Sequence, residues 1–422
     1  MGRKHTLIVD LNDLVVSLSE ALGLVGGNIV NHGKRVAYLA LTLADDFDLS
    51  PAEFSDLRTA ALLHDAGVSR TRTHKKLMQL DWEGAEEHCR EGAELLRRFP
   101  PFTRACEIIR HHHHKWGRLT RQKMDDRTAL LSNLIFLADR IDVLINWKTE
   151  IILNRERLES QISELSGAFF NPDAVEVFRK KSRVEVFWLN LYPRHLDRAL
   201  ARFRPAGHVE LDLSGLEEVA RIFARIVDSK SPYTMDHSYG VAELSRFFGQ
   251  RLGLSAETVK KLHLAGLVHD LGKLAIPDEI LEKPAALTAD EFQVVKRHPF
   301  ETYYILSGLP ALEDIRDWAS FHHEKSDGSG YPFHLGLHDL GQEHVIVMIS
   351  DIIQALIQDR PYRTGLARDQ VLDILSHLAL QQPVLEPLVK LAREDYEYTA
   401  HLAQGKESKS DPTSENPVAD LG

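Results

Sequence analysis

Along this 422-residue chain the apolar positions recur with helical spacing and never settle into sustained alternation, so the pattern predicts helix almost throughout. Ser50-Pro51-Ala52-Glu53 is a capping box with proline at the first helical position. The helix it opens carries Phe54, Leu57 and Ala61 on one face and ends at His64-Asp65. A counterpart begins at Ser255, carries Val259, Leu262 and Gly266, and ends at His269-Asp270. The three face positions all repeat at 205 (259−54, 262−57, 266−61), so a core face is duplicated. Gly67 and Gly272 then stop the backbone and leave a His-Asp pair facing a cleft. Residues 150–200 continue as helices, with a start signal at Asn171-Pro172-Asp173. Arg204, Pro205, Ala206 and Gly207 break the periodicity within 203–207, and the domain boundary falls there. The expectation is an all-α fold of two tandem domains, 1–205 and 206–405, with a disordered tail at 406–422 rich in Lys, Ser, Asp, Pro and Glu.

Length agrees with this division, since one core rarely serves more than about 300 residues. A composition 43% hydrophobic and 27% charged excludes wholesale disorder. The net charge of −11 argues against a nucleic-acid polymer as partner, because such binding needs clustered cations. A small anionic substrate stays open if metals and a few basic side chains supply local positive charge. Cys89 and Cys106 are the two cysteines, too few for a disulfide framework and suited to a reducing cytoplasm. No long apolar run follows the basic residues near Met1, and stretches such as 345–349 are far too short for a bilayer. A soluble, cytoplasmic protein without membrane contact is expected.

The chemistry lies in a ligand series spelled twice. It reads His237, His269-Asp270, His298, His322-His323 and Asp351 in the second half. In the first half it reads His32, His64-Asp65, His88, His112-His113 and Asp139. The offsets run 205 (237−32, 269−64, 270−65), 210 (298−88, 322−112, 323−113) and 212 (351−139), as small insertions in a duplicated unit would give. Any single histidine here is better explained as a hydrogen-bonded core residue, but seven ligand types in order are not. Imidazole and carboxylate suit Fe, Mn, Zn or Ni. Asp270 can bridge two ions through its two oxygens, with His237, His269 and Asp351 completing one and His298, His322 and His323 the other. Such a pair suits phosphodiester hydrolysis.

The second half resembles the HD-GYP family, a subgroup of the HD-domain metal-dependent phosphohydrolases. The match is carried by Tyr233-Thr234, His237-Ser238, His269-Asp270-Leu271-Gly272-Lys273, His298-Pro299 and His322-His323-Glu324. Asp327-Gly328-Ser329-Gly330-Tyr331-Pro332, Asp351 and Arg360-Pro361-Tyr362-Arg363 complete it over residues 212–400. The resemblance implies HD-type helical domains, a bi- or trinuclear centre of divalent ions such as Fe or Mn, and hydrolysis of cyclic dinucleotides, chiefly cyclic di-GMP. It implies catalytic roles for Asp270 and Lys273, the lysine contacting the scissile phosphate or protonating the leaving oxygen. It implies substrate contacts from Lys273, Gly330, Tyr331, Pro332, Arg360 and Arg363, the arginines as forks on phosphate. A surface salt-bridge pair competes for the arginines and a plain turn for the glycines. Glu324 either orients a ligand histidine or stands exposed.

Some positions depart from the family pattern. Relatives with a third metal tend to have glutamate where Tyr233 stands, so two ions are expected. Gln354 replaces a usual aspartate, and Val345, His334 and Gly341 also differ. In the first half Val68 occupies the place of Lys273 and no glycine-tyrosine-proline loop follows the histidines. There, aligning Lys115 with Lys325 selects His112-His113 from the run 111–114, and a one-residue slip would bring in His111. Leu137-Ala138-Asp139-Arg140-Ile141-Asp142 supports Asp139. This half reads as a second metal site without catalysis, ahead of a folded relic that regulates or dimerises and of purely structural histidines, because buried polar ligands are costly to keep. The functional expectation is a phosphodiesterase opening cyclic di-GMP to the linear dinucleotide and on to mononucleotides. The alternatives are 3'3'-cyclic GMP-AMP as substrate, or a weakly catalytic or non-catalytic HD scaffold in signal transduction with a homodimer or signalling partner.

Overall fold

The computed structural model describes residues 7–25, 31–70, 73, 84–122, 124–205, 209–230, 236–358 and 364–404. Tyr233-Thr234, the string 360–363 and the tail from 405 lie outside them. The fold is all-α, and six helices recur in the same order in both halves. They are Leu11–Leu22, His32–Ala44, Pro51–Leu63, Ala85–Leu96, Thr103–Arg110 and Asp126–Leu144, then Leu213–Asp228, His237–Arg251, Ala256–Val268, His298–Ser307, Glu313–Ser320 and Gln342–Ile357. Local signals act as their chemistry dictates. Ser50 Oγ accepts from the Glu53 N–H at 3.3 Å while the Glu53 carboxylate accepts from the Ser50 N–H at 2.8 Å. Asn171 caps its helix by accepting from the Asp173 N–H at 2.8 Å. The paired helices Pro51–Leu63 and Ala256–Val268 end on His64 and His269 as their C-caps. In each half the helix opened by the first ligand packs on this helix and on the one carrying the last aspartate.

The strands described are Val9–Asp10 and Glu210–Leu211, antiparallel, with Val9 opposite Leu211 and Asp10 opposite Glu210. Two residues per strand are too few for alternation to register in the sequence. Each strand leads into an N-capping aspartate: Asp10 accepts from Asn12 N–H, and Asp212 from the N–H groups of Ser214 and Gly215. The helices these caps open then cross over. Leu11–Leu22 packs on His298–Ser307 and on the 3₁₀ turn Leu271–Ala275 of the second half, while Leu213–Asp228 packs on Ala85–Leu96 of the first. Because His298–Ser307 and Ala85–Leu96 are counterparts, the contact is pseudo-twofold, as between the subunits of a dimer. Leu14 of the first half shares the lining of a small apolar cavity with Leu216, Phe223, Leu264, Leu306 and Ile315 of the second. The buried apolar residues of both halves form one continuous cluster. Even the predicted break is tied down, with Arg204 on Asp10 at 2.9 Å and Asp13 at 2.8 Å. Among the described residues no helix is long and apolar enough to cross a membrane.

Candidate metal centres

Each first ligand enters through a strained residue. Asn31 and Asp236, 205 apart (236−31), hold φ of 69° and 66°, left-handed values that asparagine and aspartate tolerate better than other side chains. His32 and His237 follow as the first residue of their helices. The next pair is seated by glycine. A Cβ on Gly272 would lie 2.0 Å from the His298 carbonyl oxygen, and one on Gly67 would lie 2.1 Å from that of His88. These glycines therefore do more than stop a helix. They let the His-Asp turn pack directly on the backbone of the next ligand.

In the second half the seven predicted residues converge. Asp270 Oδ2 lies 3.2 Å from His237 Nε2 and 3.3 Å from His269 Nε2, with Asp351 Oδ1 3.4 Å from His237 Nε2. Asp270 Oδ1 instead faces His298 Nε2 at 3.4 Å, and that nitrogen is 3.3 Å from His322 Nε2. Two groups, His237-His269-Asp351 and His298-His322-His323, have ligand atoms close enough to share an ion. A third, His269-Asp270-His322, overlaps both, as expected of a carboxylate lying between them. Lys273 Nζ donates to Asp270 Oδ2.

The rings are aimed from behind. His269, His298 and His322 donate Nδ1–H to the carbonyls of Gly266, Val295 and Ala319 at 2.8, 2.8 and 2.6 Å, which leaves Nε2 as the free lone pair. His237 does the same through the Gln354 side-chain oxygen, so the residue that departs from the family pattern still orients the ring. Burial pushes His298 down to about 3 and His323 to about 4, and takes His322 well below the ordinary imidazole value. Burial also lowers His237 against the pull of Asp270, whereas in His269 the charges of Asp270 and Asp351 outweigh burial and raise it. Burial opposes ionisation of Asp270 and Asp351, yet His269 and its neighbours hold both below the carboxylate range. Four of the five imidazoles are thus pushed toward the neutral form, around two ionised carboxylates, which is the state a divalent cation needs. Asp270 Oδ1 is buried and makes no hydrogen bond, which a bound cation would correct. The residues fit a metal.

The loop 327–332 closes one side. Tyr331 lies with its ring 4.8 Å from that of His323. A Cβ on Gly330 would come within 2.4 Å of Glu324 Cα, so this glycine answers a close backbone approach. Glu324 is fully buried and accepts from the Phe333 N–H at 2.7 Å and the Leu335 N–H at 3.0 Å. It braces the loop, a role the sequence did not suggest. Arg360 and Arg363 lie outside the described residues.

The first half brings its own series together with different supports. His32 Nε2 lies 3.4 Å from Asp139 and 3.7 Å from Asp65, and His88 Nε2 lies 3.7 Å from Asp65 Oδ1. His64 and His112 donate Nδ1–H to the carbonyls of Ala61 and Ile109. His113 Nε2 is 3.8 Å from Asp139, while His111 turns to His114, so the unslipped register is the one the fold adopts. His32 donates to Asp142, 2.7 Å away, and Arg35 grips that carboxylate with two nitrogens at 2.5 and 2.9 Å. Burial opposes a charge on His32, but the hydrogen bonds to Asp139 and Asp142 push it up to about 10. Arg140 takes Asp139 Oδ2 at 2.5 Å. Val68 is buried where Lys273 would be. The supporting role of Asp142, and Arg35 altogether, escaped the sequence reading, although Asp142 stands 212 before Gln354 (354−142).

An HD-domain family model matches residues 29–144, and a second HD-domain model matches residues 221–382. The chain is 34% identical to a 3'3'-cGAMP-specific phosphodiesterase 1 of Vibrio cholerae, over 92% of this chain and 93% of that protein. It is 27% identical to the 3'3'-cGAMP-specific phosphodiesterase 3 of the same organism, over 93% and 97%. A cyclic di-GMP phosphodiesterase response regulator of Xanthomonas campestris matches at 37% identity over 38% of this chain and 42% of that one. The crystal structure of a V. cholerae cyclic GMP-AMP specific phosphodiesterase superposes with a TM-score of 0.65 at 26% identity, covering 88% of this chain and 94% of that one. With two HD domains, both ligand series assembled and relatives matched end to end, the chain belongs to the HD-GYP family of metal-dependent cyclic dinucleotide phosphodiesterases.

Proposed function

We propose that the second half is the catalytic one, and that it opens 3'3'-cyclic GMP-AMP in preference to cyclic di-GMP. The observation that carries the catalytic reading is Asp270, one buried carboxylate whose two oxygens face separate histidine groups while Lys273 donates to the same side chain. His237, His269 and Asp351 would hold one divalent ion and His298, His322 and His323 the other, with Asp270 shared; Fe and Mn suit this ligand set. Such ions supply Lewis acidity and a water that ionises near neutral pH. Lys273 then offers an ammonium to the charge that grows on the attacked phosphate, or a proton to the leaving oxygen. Gln354 and the carbonyls behind the other rings keep the Nε2 lone pairs inward. Tyr331 and Pro332, with Gly330 behind them, wall the substrate side, and Arg360 and Arg363 grip phosphates as forks. We assign the first half metal binding without catalysis, since it lacks a counterpart of Lys273 and Arg140 occupies an oxygen of Asp139.

The substrate order rests on the relatives. Those named for the mixed dinucleotide include two that match more than nine-tenths of the chain, whereas the regulator named for cyclic di-GMP matches 38%. We place the reaction in the cytoplasm, in keeping with two buried free thiols. Purified protein loaded with Mn or Fe is expected to linearise the mixed dinucleotide faster than cyclic di-GMP in a chromatographic assay. Asp270→Ala should lower kcat/KM by roughly 10³-fold, on the order of 4 kcal/mol of barrier. Asp65→Ala should keep most of the activity. Equal loss from both changes, in folded proteins, would overturn the division of labour.

A further inference from the structure

The two centres differ at a position that the mechanism leaves unused. Where the second half reads His298-Pro299, the first reads His88-Cys89 (299−89 = 210). Cys89 is fully buried on the helix Ala85–Leu96. Its Sγ lies 3.8 Å from His88 Nε2 and 4.0 Å from His112 Nε2, and those two nitrogens are 3.3 Å apart. Around one tetrahedral zinc, with bonds of roughly 2.05 Å to nitrogen and 2.3 Å to sulfur, ligand atoms stand roughly 3.3 Å (N···N) and 3.6 Å (N···S) from each other. The nitrogen edge already has that length, and the sulfur edges are a few tenths longer, within reach of a small rotation about the cysteine side chain. Asp65 Oδ1, 3.7 Å from His88 Nε2, supplies a fourth corner.

A second observation points to a cation beside this group, on the Asp65 side. His64 Nε2 is buried without a hydrogen-bond partner, although its Nδ1 is engaged by Ala61 O. Its ring meets that of His112 edge-on at 5.2 Å. His64 Nε2 stands 3.5 Å from Asp65 Oδ2 without bonding to it, and a buried polar atom left without a hydrogen bond is costly unless a cation takes it. The pocket that His32, His64 and Asp65 line, together with Leu22, Val25, Leu62 and Val68, measures about 20 Å³. That is room for an ion's water, against the roughly 300–1,000 Å³ of small-molecule pockets.

We propose that Cys89 is a thiolate ligand, with His88, His112 and Asp65, of a metal ion in the first half. The inference rests on the reading of that half as a metal site and gives it a chemical character of its own. On binding, the thiol proton now directed at Ala85 O, 3.2 Å away, passes to solvent and the sulfur lone pair goes to the ion. A thiolate turns the preference toward zinc or ferrous iron and away from manganese, which a centre made only of imidazole and carboxylate also accepts.

The test uses the full chain, stripped of metal and reloaded with Co(II), reading bound cobalt per chain and the sulfur-to-cobalt charge-transfer absorption in the near ultraviolet. The absorption is expected in the wild type, in Asp270→Ala and in Cys106→Ser, and is expected to vanish in Cys89→Ser, whose fold is checked by cooperative thermal unfolding. Zinc-loaded wild type should in addition show a zinc–sulfur distance of about 2.3 Å by X-ray absorption, a readout independent of any variant. If Asp65→Ala lowers the bound cobalt but wild type shows neither the absorption nor the sulfur distance, the first half holds metal and Cys89 is no ligand. If Asp65→Ala leaves the cobalt content unchanged, the first-half metal site itself is refuted, and the thiolate with it.

Discussion

Gln354 and Asp142 stand in matching places behind the first ligand of each centre, and they differ by a charge. Asp142 is neutralised by Arg35, whose guanidinium also lies 4.7 Å over the Trp147 ring. In the second half the position of Arg35 is Gly240 (240−35 = 205), where a Cβ would come 2.7 Å from Ala403 O and 2.9 Å from Gln354 Cγ. The charged pair has thus become a neutral amide against a bare backbone, and the C-terminal helix Tyr396–Ala403 moves into the space. The hydrogen bond to the ring survives the exchange, so the departure leaves His237 oriented. Gln354→Leu should therefore weaken metal binding at this centre by about 10–100-fold, the usual effect of losing a histidine's supporting partner. Calorimetric titration of metal into the stripped protein reads it directly. An unchanged affinity would mean that His237 is oriented by something else.

Helices carry the ligands, but their seating depends on where two backbones touch. Gly272→Ala would drive a Cβ into the His298 carbonyl, and neither backbone can yield without shifting Asp270 or His298. Overpacking of this kind costs about 1–3 kcal/mol in stability. A ligand displaced by about 1 Å costs on the order of 10²-fold in rate. Thermal unfolding and kcat measured on the same preparation check both. Much of this scale was legible in the chain. The capping box at Ser50, the Asn171 start and the repeated face Phe54-Leu57-Ala61 are local signals, and local signals survive in one dimension. The candidate ligands were legible as a set for a related reason, since a duplication repeats spacing as well as residue type. Gly67 and Gly272 were noticed but read as helix stops, because their real neighbours, the carbonyls of His88 and His298, are more than twenty residues away. Glu324 was undecided for the same reason: its partners are two N–H groups that meet it only when the loop folds.

At the scale of the molecule the crossing helices were not legible at all. Which apolar stripe of Leu11–Leu22 or Leu213–Asp228 faces its own half and which faces the other is settled by packing, and the sequence shows only that both are amphipathic. A buried charged residue bridges the two halves beside this contact. Lys230, 1% exposed, donates to Ser69 O of the first half at 3.3 Å and pairs with Asp278 of the second at 3.2 Å. Burial lowers this lysine, and the Asp278 carboxylate only partly restores it. Lys230→Met should destabilise the protein by about 3–5 kcal/mol, because it deprives a buried carboxylate of its ammonium. Lys230→Met combined with Asp278→Leu should recover most of that loss in denaturant unfolding. A double variant as weak as the single one would show that the tie to Ser69 matters more than the pair.

The crossed helices also decide how the protein answers to dilution. A twofold dimer held by the same faces would come apart as its concentration fell, and its centres would loosen with it. Here both partners sit on one chain, and the local concentration of one face around the other is set by the linker instead of the solution. The melting temperature and the specific activity should accordingly stay constant from micromolar to nanomolar protein. A cell could keep only a few copies of this enzyme and lose none of the support that each half lends the other.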